Sequence, residues 1–77
     1  MVQAFVMVKT GAGGAEAAAA AIRSLPTVTE AHVVAGDYDL VAEVAADEVW
    51  EVLDTAATAI GGVDGVTDTR TYVAMSD

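Results

Sequence analysis

The residues of this chain most able to do chemistry sit in "AGDYDLVAEV", positions 35–44, where Gly36, Asp37, Tyr38 and Asp39 separate two strand-like runs. Successive backbone N–H groups in such a turn can hold a carboxylate, and Asp37 or Asp39 can take an ammonium group. A zwitterion such as an amino acid would satisfy both. The same residues also suit a plain hairpin, since Gly36 can adopt positive φ and Asp37 can bond its own backbone further on. On local grounds the turn takes precedence.

A second stretch, "TDTRT" at 67–71, places Thr67, Thr69 and Thr71 on one face of a strand and Asp68 and Arg70 on the other. Taken alone this is ordinary strand composition, with Arg70 expected to pair with Glu43 or with a dimer mate. His32 is the only histidine. No second metal-type ligand is spaced around it in sequence, so a metal site is not expected. If Asp37 and Tyr38 are the two loop residues, His32 falls opposite Glu43 and a structural hydrogen bond accounts for it. Asp47, Glu48, Glu51 and Asp54 form a solvated helix face, and Trp50 beside them is a packing residue left partly wet. Ser24 and Ser76 are the only serines, neither lies in a nucleophile elbow, and cysteine is absent. "GAGG" at 11–14 lacks the lysine of a P-loop and the full dinucleotide fingerprint, so it is a strand-to-helix connection. No cofactor is expected.

These side chains must be positioned by a small scaffold. The 77 residues allow a single domain over 1–77, and a chain of this size buries only about 60–65% of its unfolded surface. Without cysteine, close packing or oligomerisation has to supply what a staple would. The formal charge is −9, with 12 acidic residues against three strong cations, Lys9, Arg23 and Arg70. Such a field repels phosphate, which argues against direct binding to nucleic acid or an anionic membrane. It also suggests adaptation to concentrated salt, a halophilic habit in which repulsion is screened. The 55% hydrophobic content is enough for collapse. "MVQAFVMVKT" has no basic leader region, and its apolar run is too short to cross a bilayer, so a cytoplasmic protein is expected.

The elements follow from pattern. Residues 2–9 read as a strand ended by "TGAGG". "AEAAAAAIRSL" reads as an alanine-rich helix with Ala15, Ala18, Ile22 and Leu25 on one face, stopped by Pro26. Residues 28–35 and 39–46 read as a tight antiparallel hairpin across Gly36, Asp37 and Tyr38. Asp47 looks like the N-cap of a second helix carrying Val49, Val52, Leu53, Ala56 and Ile60, closed by Gly61 and Gly62. "GVTDTRTYVAM" supplies a fourth strand. The order βαββαβ predicts an α+β, ferredoxin-like fold: a four-stranded antiparallel sheet with two helices on one face.

Period-two alternation places Ala4, Val6, Val8, Ala31, Val33, Leu40, Ala42 and Val44 beneath the helices. The opposite face carries Phe5, Met7, Val34, Val41 and Tyr72 among Lys9, His32, Glu43 and Arg70. A repeated apolar surface of this kind marks an interface. A homodimer formed sheet against sheet is therefore expected.

Nearly the whole chain resembles the ligand-sensing domain of Lrp/AsnC (feast/famine) transcriptional regulators, in a version without the helix-turn-helix. The resemblance rests on "AFVMVKT", "HVVAGDYDLVAEV" and "GVDGVTDTRTYVAM" in that order, with "GDYDL" the most specific piece. It implies dimers paired through their sheets, often assembled as a ring of dimers, typically an octamer. It also implies binding of an amino acid or related small effector between dimers near Gly36, Asp37, Tyr38 and Asp39, with Thr67, Thr69 and Thr71 in the neighbourhood. A domain of this kind is expected to regulate transcription by sensing effectors itself or by joining full-length relatives. The alternatives are an assembly module that binds no small molecule and a small dimeric ferredoxin-like enzyme, for which the buried face offers no placed acid or base.

Overall fold

Alternation in "VQAFVMVKT" turns Ala4, Val6 and Val8 to one side of strand β1 (Val2–Thr10), where all three are fully buried. The computed structural model describes residues 1–76. After β1 come helix α1 (Ala15–Arg23), strands β2 (Val28–Val33) and β3 (Leu40–Ala46), helix α2 (Val49–Asp54) and strand β4 (Val66–Val73). The strands form a four-stranded sheet in the order β2-β3-β1-β4, every neighbouring pair antiparallel. This is the ferredoxin-like α+β arrangement. Both helices pack on the face that carries Ala4, Val6, Val8, Ala31, Leu40, Ala42 and Val44, and contribute Ala18, Ala19, Ile22, Val52, Ala56 and Ile60 to the same core. Small alanine side chains on α1 let it lie close to the sheet. Among the described residues no helix is long and apolar enough to cross a membrane.

Several expectations need correction. Val33 points to the helix side, opposite Leu40, yet is 41% exposed at the last position of β2 and stays outside the core. The second helix starts one residue later than the sequence pattern indicates. Glu48, not Asp47, is its N-cap, and the Glu51 carboxylate accepts the Glu48 backbone N–H at 3.1 Å. Leu53 and Val49 lie outside the core, and Trp50 is 67% exposed, so it is no packing residue within this chain.

Beyond Asp54 the helix widens into a π-helical turn over Thr55–Ile60, with the Gly61 N–H reaching back five residues to the Ala56 carbonyl at 3.2 Å. Thr55 is buried there and its hydroxyl meets that of Thr27 at 2.7 Å, which satisfies both groups. The chain leaves this turn through Gly61, where an added Cβ would lie 2.5 Å from the Ala57 carbonyl oxygen. Only glycine fits that approach without displacement of the backbone.

β2 and β3 pair antiparallel as expected, but their connection is broader than the tight hairpin across Gly36, Asp37 and Tyr38. β2 ends at Val33 and β3 begins at Leu40, leaving residues 34–39 as a broader loop closed by the Val34 N–H to Asp39 carbonyl bond at 2.9 Å. Accordingly His32 lies opposite Val41, and Glu30, not His32, lies opposite Glu43. Positive φ occurs at Gly13 and Gly65 among the described residues, not at Gly36. A Cβ at Gly36 would meet nothing within 4 Å, so the loop makes no local demand for glycine there.

Candidate functional site

The 36–39 turn is fixed to the rest of the sheet by Asp39. Its carboxylate accepts the Thr10 backbone N–H at 2.8 Å and the Thr10 hydroxyl at 3.3 Å, while its own N–H donates to the Val8 carbonyl at 2.9 Å. The side chain therefore ties the start of β3 to the end of β1. It satisfies a backbone donor where the ladder gives way to the "GAGG" loop. The sequence contains the signal for this clasp only as an acid at the mouth of a loop; its partner lies 29 positions away.

Tyr38 is half-buried, and the Lys9 ammonium sits 5.5 Å from its ring centroid, within the range of a cation–π contact. Gly36 and Asp37 are exposed on the outer bend. The turn thus presents an exposed carboxylate-bearing residue, Asp37, next in sequence to the tyrosine over whose ring a cation sits. In chemical terms Asp37 can take an ammonium group and Lys9 a carboxylate.

The threonines are placed differently from one another. Thr69 lies opposite Val8 and Thr71 opposite Val6, so both turn toward the helix side and are half-buried at the β4 edge. Thr67 is exposed and falls in the register shift between the Lys9–Asp68 and Thr10–Val66 pairs. β1 stands between these threonines and the turn. Two inter-strand spacings of about 4.8 Å each put roughly 10 Å between them. The turn, the end of β1 and the start of β4 do share one end of the sheet, where the Gly11 N–H also bonds the Gly65 carbonyl at 3.0 Å.

The face away from the helices is laid out by register. One row runs Tyr72–Phe5–Glu43–Glu30 and the next Arg70–Met7–Val41–His32. Tyr72 is 55% exposed and Phe5 37%, with Met7 and Val41 half-buried and Val34 exposed beside them. Arg70 stands two strands and one row away from Glu43, so the expected Arg70–Glu43 pair does not form. Glu43 instead accepts from the Gln3 side-chain amide at 3.2 Å. Arg70 has no ion-pair partner among the described residues.

His32 does take the hydrogen bond expected of it, but with Glu30 on its own strand at 3.1 Å. Sequence reasoning missed the grouping this creates: donor atoms of Glu30, His32 and Glu43 lie within 4.8 Å of one another. The signal was the E-x-H spacing in β2, which sets both side chains on one face, but the third member needs the register of β3. Two surface hollows lie elsewhere, one along the free edge of β2 between Arg23 and residues 28–32, the other between Met1, Gln3 and residues 74–76. Neither includes the turn.

A family model, the Lrp/AsnC ligand binding domain, matches residues 3–77. The leucine-responsive regulatory protein of Haemophilus influenzae is 36% identical over 58 residues, covering 75% of this chain and 35% of that protein. The chain therefore spans about a third of the length of that curated relative. TTHA0845 from Thermus thermophilus superposes with a TM-score of 0.93 at 36% identity, covering 100% of this chain and 96% of that one. The transcriptional regulator NMB0573 of Neisseria meningitidis, solved as a complex with L-Met, shares the fold with a TM-score of 0.84 at 20% identity, covering 99% of this chain and 51% of that one.

Proposed function

The chain belongs to the Lrp/AsnC ligand binding domain family, and on that premise we propose that it is a non-catalytic regulatory domain, paired through its open sheet face and responsive to an amino acid or related small effector near residues 36–39. The observation that carries the pairing is the aromatic and aliphatic row on that face. Phe5 and Tyr72 are neighbours across the β1–β4 ladder, with Met7 and Val41 in the next row and Val34 exposed just past the end of β2. Exposed apolar surface of this kind is stabilised when a second copy excludes water from it. Arg70, unpaired within the chain among the described residues, lies on the same face and gains a role if that face is covered.

An amino-acid effector is supported by the bound L-Met of the Neisseria protein and by the leucine response in the name of the Haemophilus one. It is also supported by the opposite charges of Asp37, next to Tyr38 in sequence, and of Lys9 over the Tyr38 ring. A ring of dimers, an octamer, would bring turns of neighbouring dimers together, and mixed assembly with full-length Lrp/AsnC regulators would convey the signal to DNA this acidic domain does not itself touch. Calorimetry with a panel of amino acids that includes leucine and methionine tests the effector. Gly36→Ala is a suitable site variant, because open space and the absence of positive φ at that position let the fold keep it. Saturable binding weakened by Gly36→Ala or Asp37→Ala supports the site; no binding of any amino acid at millimolar concentration removes the effector while leaving the pairing.

One observation favours a second reading. The Asp39 carboxylate is already engaged by Thr10, so part of the turn's chemistry serves the fold. On this reading the domain is a ligand-independent assembly module. Pull-down of partners from the native cell with and without added amino acids separates the two, since only the sensor changes its partners.

A further inference from the structure

The grouping of Glu30, His32 and Glu43 on the open face is not used by the turn or by the apolar row, and its electrostatics are unfavourable as it stands. Glu30 and Glu43 are direct cross-strand partners. Like charges in that relation destabilise a sheet. Among the described residues the only ion-pair partner of either carboxylate is His32, at 3.1 Å from Glu30, and it compensates only when protonated. Both side chains of that pair are more than half exposed in the single chain, and Glu43 is half-buried beside them.

We propose that Glu30, His32 and Glu43 form a binding site for a first-row divalent transition cation of the zinc type. The placement is set by the backbone. Glu30 and His32 share a face because they are two apart in a strand, and Glu43 is delivered to them by the β2–β3 register. The three donor atoms lie within 4.8 Å of one another. Ligands of a tetrahedral Zn2+ at about 2.0–2.1 Å from the metal stand roughly 3.3 Å apart, so the widest separation must close by only about 1.5 Å, within the reach of rotation about the side chain of Glu30, which is exposed, and that of Glu43, which is half-buried. The Gln3 amide, already on Glu43 at 3.2 Å, holds one oxygen of that carboxylate.

The donor set decides the class of ion. One imidazole nitrogen with two carboxylates suits zinc and its neighbours in the first row, whereas Mg2+ and Ca2+ prefer oxygen alone. Three protein ligands leave a fourth position for water, as in open zinc sites. All three ligands come from one chain, on the β2–β3 side of the open face, whereas Phe5 and Tyr72 of the proposed pairing surface lie on β1 and β4.

Titration of the whole chain with ZnCl2 tests it, followed by calorimetry and by the imidazole resonances of His32, which are unambiguous because the chain has one histidine. One Zn2+ per chain is expected, with a shift of the His32 ring signals that saturates together with the heat. His32→Gln, Glu30→Gln and Glu43→Gln should each weaken binding more than about tenfold, at least as much as loss of an outer-shell partner does. Mg2+ at the same concentration should leave the ring signals in place. Undiminished Zn2+ affinity in His32→Gln, equal effects of Mg2+ and Zn2+, or absence of saturable binding would each overturn the site. The substituted side chains are on the surface or at its margin, and retained circular dichroism confirms that the variants are folded.

Discussion

Replacing Asp39 by alanine isolates the clasp between the 36–39 turn and β1. The substitution removes a 2.8 Å bond from the Thr10 N–H and a 3.3 Å bond from its hydroxyl, while the backbone bonds of residue 39 to Val8 and Val34 survive. A hydrogen bond to a charged acceptor contributes about 1.5–3 kcal/mol; partial burial lets water replace some of this, so a loss of about 1–2 kcal/mol is expected. For a domain of this size each kcal/mol lowers Tm by about 4–8 °C. Asp39→Ala should therefore melt roughly 5–15 °C lower. Removing one negative charge from a chain of −9 works in the opposite direction, so the comparison belongs in about 0.5 M salt, where that repulsion is screened.

Asp39→Asn keeps an acceptor without the charge and should recover about half of the loss. Thr10→Val removes only the longer bond and should cost no more than about 0.5–1 kcal/mol. Urea unfolding at fixed protein concentration measures all three variants, and amide exchange should show the Thr10 N–H losing protection in Asp39→Ala. A midpoint unchanged from the parent, with Thr10 still protected, would refute the structural role of this carboxylate. It would also return Asp39 to the groups free to hold an ammonium ion.

Phe5→Asp combined with Tyr72→Asp should convert a dimer into a monomer by chromatography with light scattering, since both charges land in one row of the open face; a parent chain that is monomeric at micromolar concentration would remove the pairing altogether. Gly61→Ala should destabilise the fold by about 1–3 kcal/mol, because its Cβ meets the Ala57 carbonyl oxygen at 2.5 Å and the π-helical turn must shift; Gly36→Ala, with open space around it, should be close to neutral in the same urea assay. Raising KCl from about 0.1 M to about 1 M should increase Tm as screening relieves the net repulsion; a Tm that is flat or falling would remove the argument for a salt-adapted surface. Trp50→Ser should leave stability almost unchanged, because the indole is 67% exposed.

Element order and the buried face are legible because both depend on local periodicity. Ala4, Val6 and Val8 alternate, Ala18 and Ile22 repeat at helical spacing, and Pro26 and the glycine pairs punctuate. Those patterns are written in neighbouring residues. The hairpin misleads for the same reason. Gly36-Asp37-Tyr38 looks like a tight turn when only local propensity is weighed, but Asp39 is drawn to Thr10 across the sheet and β2 stops at Val33, which shifts the register and puts Glu30 rather than His32 opposite Glu43. Trp50 suggests packing on side-chain size alone, whereas its direction depends on how the helix is rotated by Val52, Ala56 and Ile60 entering the core.

By itself the sequence determined which residues alternate into the core, how many strands and helices they build, and that a second apolar face is left over. Tertiary structure alone decided which side chains on that face meet. Strand pairing joins residues far apart in the chain, and a shift of one position in register changes every cross-strand neighbour. The clasp of Asp39 on Thr10 follows from the β1–β3 register, the meeting of Glu30, His32 and Glu43 from that of β2–β3, and the isolation of Arg70 from its place on β4, two strands from Glu43.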